Sequence, residues 1–401
     1  MFDNLRDSYL SIDFSVIINN LNVIKEQCSK DKFLFGVIKG NGYGHGLVEM
    51  GYAITESNAD GMAVATSDEA FALREYYDDI KILNLGVVRE EDYTIMADKE
   101  ITVTVANLYS ALILSETKLD NKLYVHLKIN TGMNRIGFND IEDVKEALKV
   151  LSKNKKVVIE GIFTHFATAE DYDKEDYLDM QIDLFRKMVE DLNMPFKYIH
   201  CTNSASLLKC HEKLDFTTAN RVGIAMYGHL QDKIQDSYPI EGALELISHV
   251  TQVSQYPKGT KIGYSNNYVT QSDDEYIATI PLGYADGIPR KLTGATVLAE
   301  TSKGDLIVGK IIGSICMDQT MISFNEEIFF EDRIYIISND RRINVKNRAL
   351  LLESITHEVL TNFGPRLPRF YFDEYGEIMQ ISNDLSLLGL PIFMSEIIEK
   401  Y

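Results

Sequence analysis

Short apolar, β-branched runs recur through the first 230 residues, each the length of one strand and separated by amphipathic stretches. Eight runs carry this pattern, at 34–39, 61–66, 80–86, 101–105, 123–130, 157–165, 198–203 and 221–227. The intervening stretches have helical spacing. In 141–152, Val144, Ala147, Leu148 and Leu151 share one face, and in 177–192 Leu178, Ile182, Phe185 and Val189 do the same. Thr66 followed by Glu69 predicts a capping box at one helix start.

Strands of this kind, apolar enough for burial on both faces and alternating with helices, build either a doubly wound sheet or a closed barrel. Eight repeats favour an α/β fold whose N-terminal part is a (β/α)₈ TIM-type barrel. Lys39, Arg135, His165, Asn203, Ser204 and Gly223 all fall at or just past the C-terminal ends of the runs. Barrel active sites form there. After about residue 241 the helical rhythm fades into strands at 276–281, 295–300, 306–312, 321–324 and 333–337, interrupted by one helix over 349–361. The expected division is therefore a barrel over 1–240 and a mostly-β C-terminal domain over 241–401.

Forty Lys and Arg against sixty Asp and Glu leave a formal charge of −20. A field of that sign repels phosphate backbones and anionic lipid, so neither nucleic acid nor a membrane is an expected partner. No run approaches eighteen apolar residues, and the acidic and polar start at 1–10 reads as cytoplasmic. Cys28, Cys201, Cys210 and Cys316 stand too far apart for a zinc knuckle, so no metal is expected.

The segment VIKGNGYGHG at 37–46 sets Lys39 at a strand end ahead of a glycine-rich turn. Burial there depresses the lysine pKa, and a neutral amine is the nucleophile that a Schiff base with an aldehyde requires. A salt-bridged barrel lysine followed by an ordinary glycine loop fits the spacing equally. Ser204 and the amides of Gly223 and Ile224 fall where barrels bind phosphate, although Asn203-Ser204 could also be a plain helix N-cap.

The 37–46 segment closely resembles the cofactor-lysine motif of the alanine racemases. The resemblance continues in order through HLKINTGMNRIGF (126–138), GIFTHFAT (161–168), CTNSASL (201–207), NRVGIAMYG (220–228), KIGYSNNY (261–268), IATIPLGYADGIPR (277–290) and ICMDQ (315–319). It implies pyridoxal 5′-phosphate held by Lys39, with Tyr43, Ser204, Gly223, Ile224 and Tyr371 around its phosphate, Asn203 beside it, His165 against the ring and Arg221 on the pyridine nitrogen. A permanent cation there leaves the ring a weaker electron sink, which favours reprotonation at the α-carbon over transamination. Arg135, Met317, Tyr284 and Asp318 are implied substrate contacts, and Lys128 a lysine that relatives often carbamylate. Tyr264 is implied as a second base contributed by the partner subunit of a homodimer with shared active sites. The implied activity is L-alanine to D-alanine interconversion on a small amino-acid substrate, supplying peptidoglycan.

This chain departs from the family at several positions. Gly40 and Gly42 replace alanines, which is expected to loosen the loop. Asn130 replaces an aspartate, Val222 a proline, and Ser265-Asn266-Asn267 a basic segment. Tyr371 is expected to close the pocket against side chains larger than methyl. The competing readings are a serine or broad-specificity racemase, a non-catalytic cofactor-binding protein built on the barrel alone and, more remotely, a barrel decarboxylase.

Overall fold

The structure is a computed structural model that describes residues 6–230, 232–301, 304–330 and 332–382. It divides into two compact units: Ile17–Tyr43 with Leu47–Ile240, and the described residues within 1–16, 44–46 and 241–401.

The first unit contains an eight-stranded sheet whose strands, among the described residues, all pair parallel. The strands run in the order Tyr198–His200, Val157–Phe163, Leu123–Lys128, Ile101–Val105, Lys81–Val87, Gly61–Val64, Phe33–Val37 and Ala219–Val222. Between the two ends of that order the seam is closed partly by side chains. Thr218 N donates to Ile199 O at 3.0 Å, Ile199 N to Thr218 Oγ1 at 2.8 Å, and Arg221 N to Thr202 Oγ1 at 2.7 Å. The eighth strand stops at Val222, not at residue 227. Gly223 turns out of extended geometry (φ −123°, ψ −99°) and Ile224–Tyr227 coils into a 3₁₀ turn.

The amphipathic stretches form the outer helices. Ile141–Leu151 starts on an Asp140 cap and buries Val144, Ala147, Val150 and Leu151, while Glu175–Leu192 buries Leu178, Ile182, Phe185 and Met188. Full burial of each such side chain contributes roughly 1.5–3 kcal/mol, which is what fixes the helices on the sheet.

The second unit is a ten-stranded sheet, mostly antiparallel. Its make-up corrects the expected boundary at the N-terminus. Tyr9–Asp13 is not part of the barrel: it pairs antiparallel with Leu244–His249 and parallel with Arg369–Phe372, burying Leu10 and Ile12 completely. The expected 349–361 helix is two helices, Val345–Leu352 and Thr356–Thr361, because the chain enters the left-handed region at Glu353 (φ 55°). A separate two-stranded hairpin, Lys261–Ile262 with Tyr268–Val269, carries Tyr264 in its loop.

Candidate active site

Strand Phe33–Val37 delivers Lys39 to the C-terminal end of the first unit's sheet. After it Gly40, Asn41, Gly42 and Tyr43 all occupy the left-handed region, with φ of 64°, 54°, 60° and 53°. Each non-glycine residue there costs about 1–2 kcal/mol, so glycine at 40 and 42 removes half of that strain. The turn is clamped rather than loosened. Glu69 Oε1 accepts from Gly40 N at 2.6 Å, its Oε2 accepts from Ala65 N at 3.0 Å, and Asn41 Oδ1 accepts from Leu47 N at 2.8 Å. Only half of the expected capping box is therefore present: Thr66 Oγ1 accepts from Glu69 N at 3.3 Å, but the Glu69 carboxylate is spent on the lysine turn.

A Cβ on Gly42 would lie 2.6 Å from Met50 Cγ at a backbone conformation that L-residues avoid. Gly42→Ala is expected to cost about 1–3 kcal/mol, read as a lower urea midpoint with an unchanged slope. An unchanged midpoint would show that the turn tolerates a side chain there.

Around Lys39 the polar groups are nearly all positive. Burial first, then the Arg135 and Arg221 guanidiniums, push the Lys39 pKa down, with Glu69 opposing. Lys128 is pushed down to about 7 by burial, Arg221 and Arg135. His165 is held well below its ordinary value by burial and by Arg221, Lys128, Arg135 and Lys39. In a protein of charge −20, these groups make a local cationic, acid-poor cluster. Such a place is built to receive anions.

A donor cradle lies in the same unit. Ser204 Oγ accepts from Gly223 N at 3.0 Å and from Ala225 N at 3.1 Å, with Ile224 between them. Gly223 is needed for a close approach, since a Cβ there would sit 2.7 Å from the Tyr43 hydroxyl. Asn203 instead serves as the helix cap, accepting from Ser206 N at 2.9 Å. His165 Nδ1 accepts from Arg221 at 3.2 Å, and Arg221, fully enclosed, also donates to Thr164 O at 2.9 Å. Lys128 donates to Ile129 O at 2.8 Å, whereas Asn130 turns away to staple its own loop, donating to Asn134 Oδ1 at 3.0 Å and Asn139 Oδ1 at 2.6 Å. A depressed-pKa lysine, a cationic surround and a backbone-and-hydroxyl cradle fit pyridoxal phosphate, whose groups are an aldehyde, a dianion and a ring nitrogen.

Tyr264, Tyr284, Met317, Asp318 and Tyr371 belong to the second unit. Tyr264 is 71% exposed, raised on a loop in which Gly263, Ser265 and Asn266 have φ of 73°, 58° and 54°. Two left-handed non-glycine residues in succession store backbone strain of about 1–3 kcal/mol each. The Cys316–Gln319 turn is tied to the Tyr284 turn, with Tyr284 N donating to Cys316 O and Ala285 N to Met317 O, both at 3.0 Å. Gly283 permits that contact, as a Cβ would lie 2.3 Å from Met317 O. Asp286, wholly buried, anchors the same turn by accepting from Gly283 N at 2.9 Å and pairing with Arg6 and Arg366. Asp318 pairs with Arg366 at 2.8 Å. Tyr371 is 0% exposed, stacked on Phe14, and its hydroxyl donates to His45 O at 2.7 Å. That placement corrects the expected open pocket wall: the hydroxyl proton is already committed within its own unit.

Both halves of the chain match one family. Residues 12–231 match the pattern described as alanine racemase, N-terminal domain, and residues 243–371 the corresponding C-terminal domain. The chain belongs to the alanine racemase family. Alanine racemase 1 of Bacillus subtilis is 36% identical over 390 residues, covering 95% of this chain and 96% of that relative. The solved alanine racemase of Bacillus anthracis with bound L-Ala-P superposes with a TM-score of 0.87 at 31% identity, covering 96% and 99% of the two chains. A histidine racemase from Leuconostoc mesenteroides also superposes, with a TM-score of 0.82 at 30% identity over 91% and 98% of the chains. Within an alanine racemase family that is generally pyridoxal-phosphate dependent, this chain is an amino-acid racemase. The match to both domains sets aside a barrel-only carrier. Among the described residues no helix is long and apolar enough to cross a membrane, and no group of three His, Cys, Asp or Glu could hold a metal.

Sequence reasoning missed the Glu69 clamp on the lysine turn and the Asp286 anchor of the Tyr284 turn. Asp286 stood in a quoted motif, but nothing local shows a carboxylate reaching Arg6, 280 positions away.

Proposed function

We propose that the protein interconverts L- and D-alanine with pyridoxal phosphate, as a cytoplasmic homodimer that supplies D-alanine for peptidoglycan. The observation that carries this reading is Lys39, held on a clamped left-handed turn inside a cationic cluster beside the Ser204–Gly223 cradle. When bound, the cofactor supplies an aldehyde that joins the substrate amine and a ring that draws electrons from the α-carbon.

The residues divide the remaining work. Ser204, the Gly223 and Ile224 amides and Tyr43 bind the phosphate. Arg221 holds the pyridine nitrogen as a donor, with His165 beside it. Arg135 and the Met317 amide orient the substrate carboxylate, and Tyr284 and Asp318 line its approach. Lys39 moves the α-proton on one face and Tyr264, from a second copy of the chain, on the other. With Asn130 turned to its own loop, Lys128 donates to Ile129 O, and its amine, with a pKa held down to about 7 by burial, Arg221 and Arg135, is the one the resemblance marks for carbamylation.

Two observations keep broader specificity as a second reading: the histidine racemase neighbour, and Tyr371, which is sealed away instead of presented as a wall. With added cofactor, L-alanine is expected to exceed L-serine and L-histidine in kcat/KM by at least about tenfold. Coupled measurement of D-isomer formation across that panel decides the matter. Equal or reversed values replace alanine with the broader substrate class.

A further inference from the structure

The interior of the eight-stranded sheet carries a line of polar groups that ends on Arg221 and whose other members have no part in the mechanism above. Lys81, Thr102, His126, Glu160, His200 and Arg221 come from six different strands, and both histidines are 0% exposed. Arg221 NH1 meets His200 Nδ1. His200 Nε2 lies 2.9 Å from His126 Nδ1, and His126 Nε2 lies 3.5 Å from Glu160 Oε1. Glu160 also accepts from Thr102 Oγ1 at 3.0 Å and pairs with Lys81.

The direction of this string follows from its first member. A guanidinium can only donate, so His200 Nδ1 must accept and the neutral ring carries its proton on Nε2. That proton points at His126 Nδ1, which must then accept, placing the second proton on His126 Nε2 facing the Glu160 carboxylate. Burial keeps both imidazoles neutral by pulling their pKa values down. Lys81 and His126 hold the Glu160 carboxyl down to about 2 against the effect of burial, so the far end stays an anion. The rings cannot turn freely: His200 stacks on Phe163 at 4.8 Å and 4°, and Gly161 leaves room for His126, since a Cβ there would lie 2.5 Å from its ring.

We propose that Glu160 is a positioning residue for Arg221, acting through a one-way string in which Arg221 bonds to His200, His200 to His126, and the His126 Nε2–H faces the Glu160 carboxylate 3.5 Å away. Without the carboxylate the His126 tautomer is held only from the Arg221 end, through His200, and the string is free to reverse. A proton on His126 Nδ1 would oppose the one on His200 Nε2, His200 would rearrange, and Arg221 would lose an acceptor. This rests on the reading of Arg221 as the cofactor's ring contact.

The test is made on holoenzyme with ¹⁵N-labelled histidine. Wild type should show His126 and His200 as neutral Nε2–H tautomers between about pH 6 and 9. Lys81→Met with Glu160→Leu removes the ion pair together, so that neither charge is stranded. This double variant is expected to mix the tautomers, shift the visible absorbance of the bound cofactor and lower kcat by about 3- to 30-fold with KM nearly unchanged. Glu160→Gln, which keeps an acceptor, should retain the wild-type tautomers and most of kcat. A protonated or Nδ1–H histidine in the wild type overturns the proposal whether or not the double variant folds. So does a folded double variant whose cofactor absorbance and kcat are unchanged. Absence of cofactor absorbance in the wild type would instead count against the functional reading, while the tautomer measurement still decides the string.

Discussion

Lys39→Ala is expected to lower kcat/KM for L-alanine by at least about 10⁴-fold, because it removes both the cofactor's covalent attachment and one of two proton-moving groups. Burial and the guanidiniums of Arg135 and Arg221 make the neutral amine more accessible than for an ordinary lysine, whose pKa is about 10.4. The limb of the pH profile that belongs to this amine should therefore lie on the acid side of that value. The Ser204–Gly223 cradle and Arg221 do not depend on Lys39, so the variant should still hold cofactor without the bond. Purified wild type should show visible absorbance from the lysine-linked cofactor, and Lys39→Ala should lack it unless a free amine is added. If Lys39→Ala keeps that absorbance with no added amine and keeps full activity, another lysine holds the cofactor.

What the sequence made legible was whatever is written locally. Strand runs at 306–312 and 333–337 coincide with observed strands, because period-2 alternation needs no knowledge of the partner strand. Tyr9–Asp13 escaped for the opposite reason. Its partners are at least 232 positions away in one strand and 359 in the other, so nothing local separates these five residues from the 1–240 barrel. The Thr66–Glu69 spacing was read as a cap, whereas the carboxylate turns to Gly40, a choice set by the barrel bringing two strand ends together. Asn203 shows how two readings coexist: the motif that resembles a cofactor contact is also a working helix cap.

The charge pattern explains why composition alone says little about the ligand. A net −20 suggests that anions are repelled, yet Lys39, Lys128, Arg135 and Arg221 converge at the strand ends, with the Glu69 carboxylate opposing their effect on Lys39. Short-range fields dominate because salt screens surface charge beyond about 8–10 Å, while enclosed groups are screened far less. The repulsive surface and the attractive site act on different length scales, and only the second bears on a bound phosphate.

Tyr264→Phe is expected to remove most proton exchange from one face of the α-carbon and so lower racemisation by about 10²–10⁴-fold. Racemisation exchanges protons on opposite faces of a planar carbon, and one fixed side chain does not readily reach both. Lys39 sits on the first unit and Tyr264 on an exposed loop of the second, and on the proposed reading the second base is Tyr264 of another copy of the chain. An ordinary phenol has a pKa of about 10 and needs cationic or hydrogen-bonding support to act as a base near neutrality. Ser265-Asn266-Asn267 carries no positive charge, so the loop of Tyr264 does not supply that support from its own next three residues. In deuterated water, Tyr264→Phe should still exchange the α-proton of D-alanine through Lys39, at a reduced rate, while exchange from L-alanine nearly stops. Mixing dissociated Lys39→Ala and Tyr264→Phe subunits should then create one site per heterodimer that holds both bases, and activity should return. If verified heterodimers of folded subunits stay inactive, or if Tyr264→Phe slows neither direction, the second base lies elsewhere.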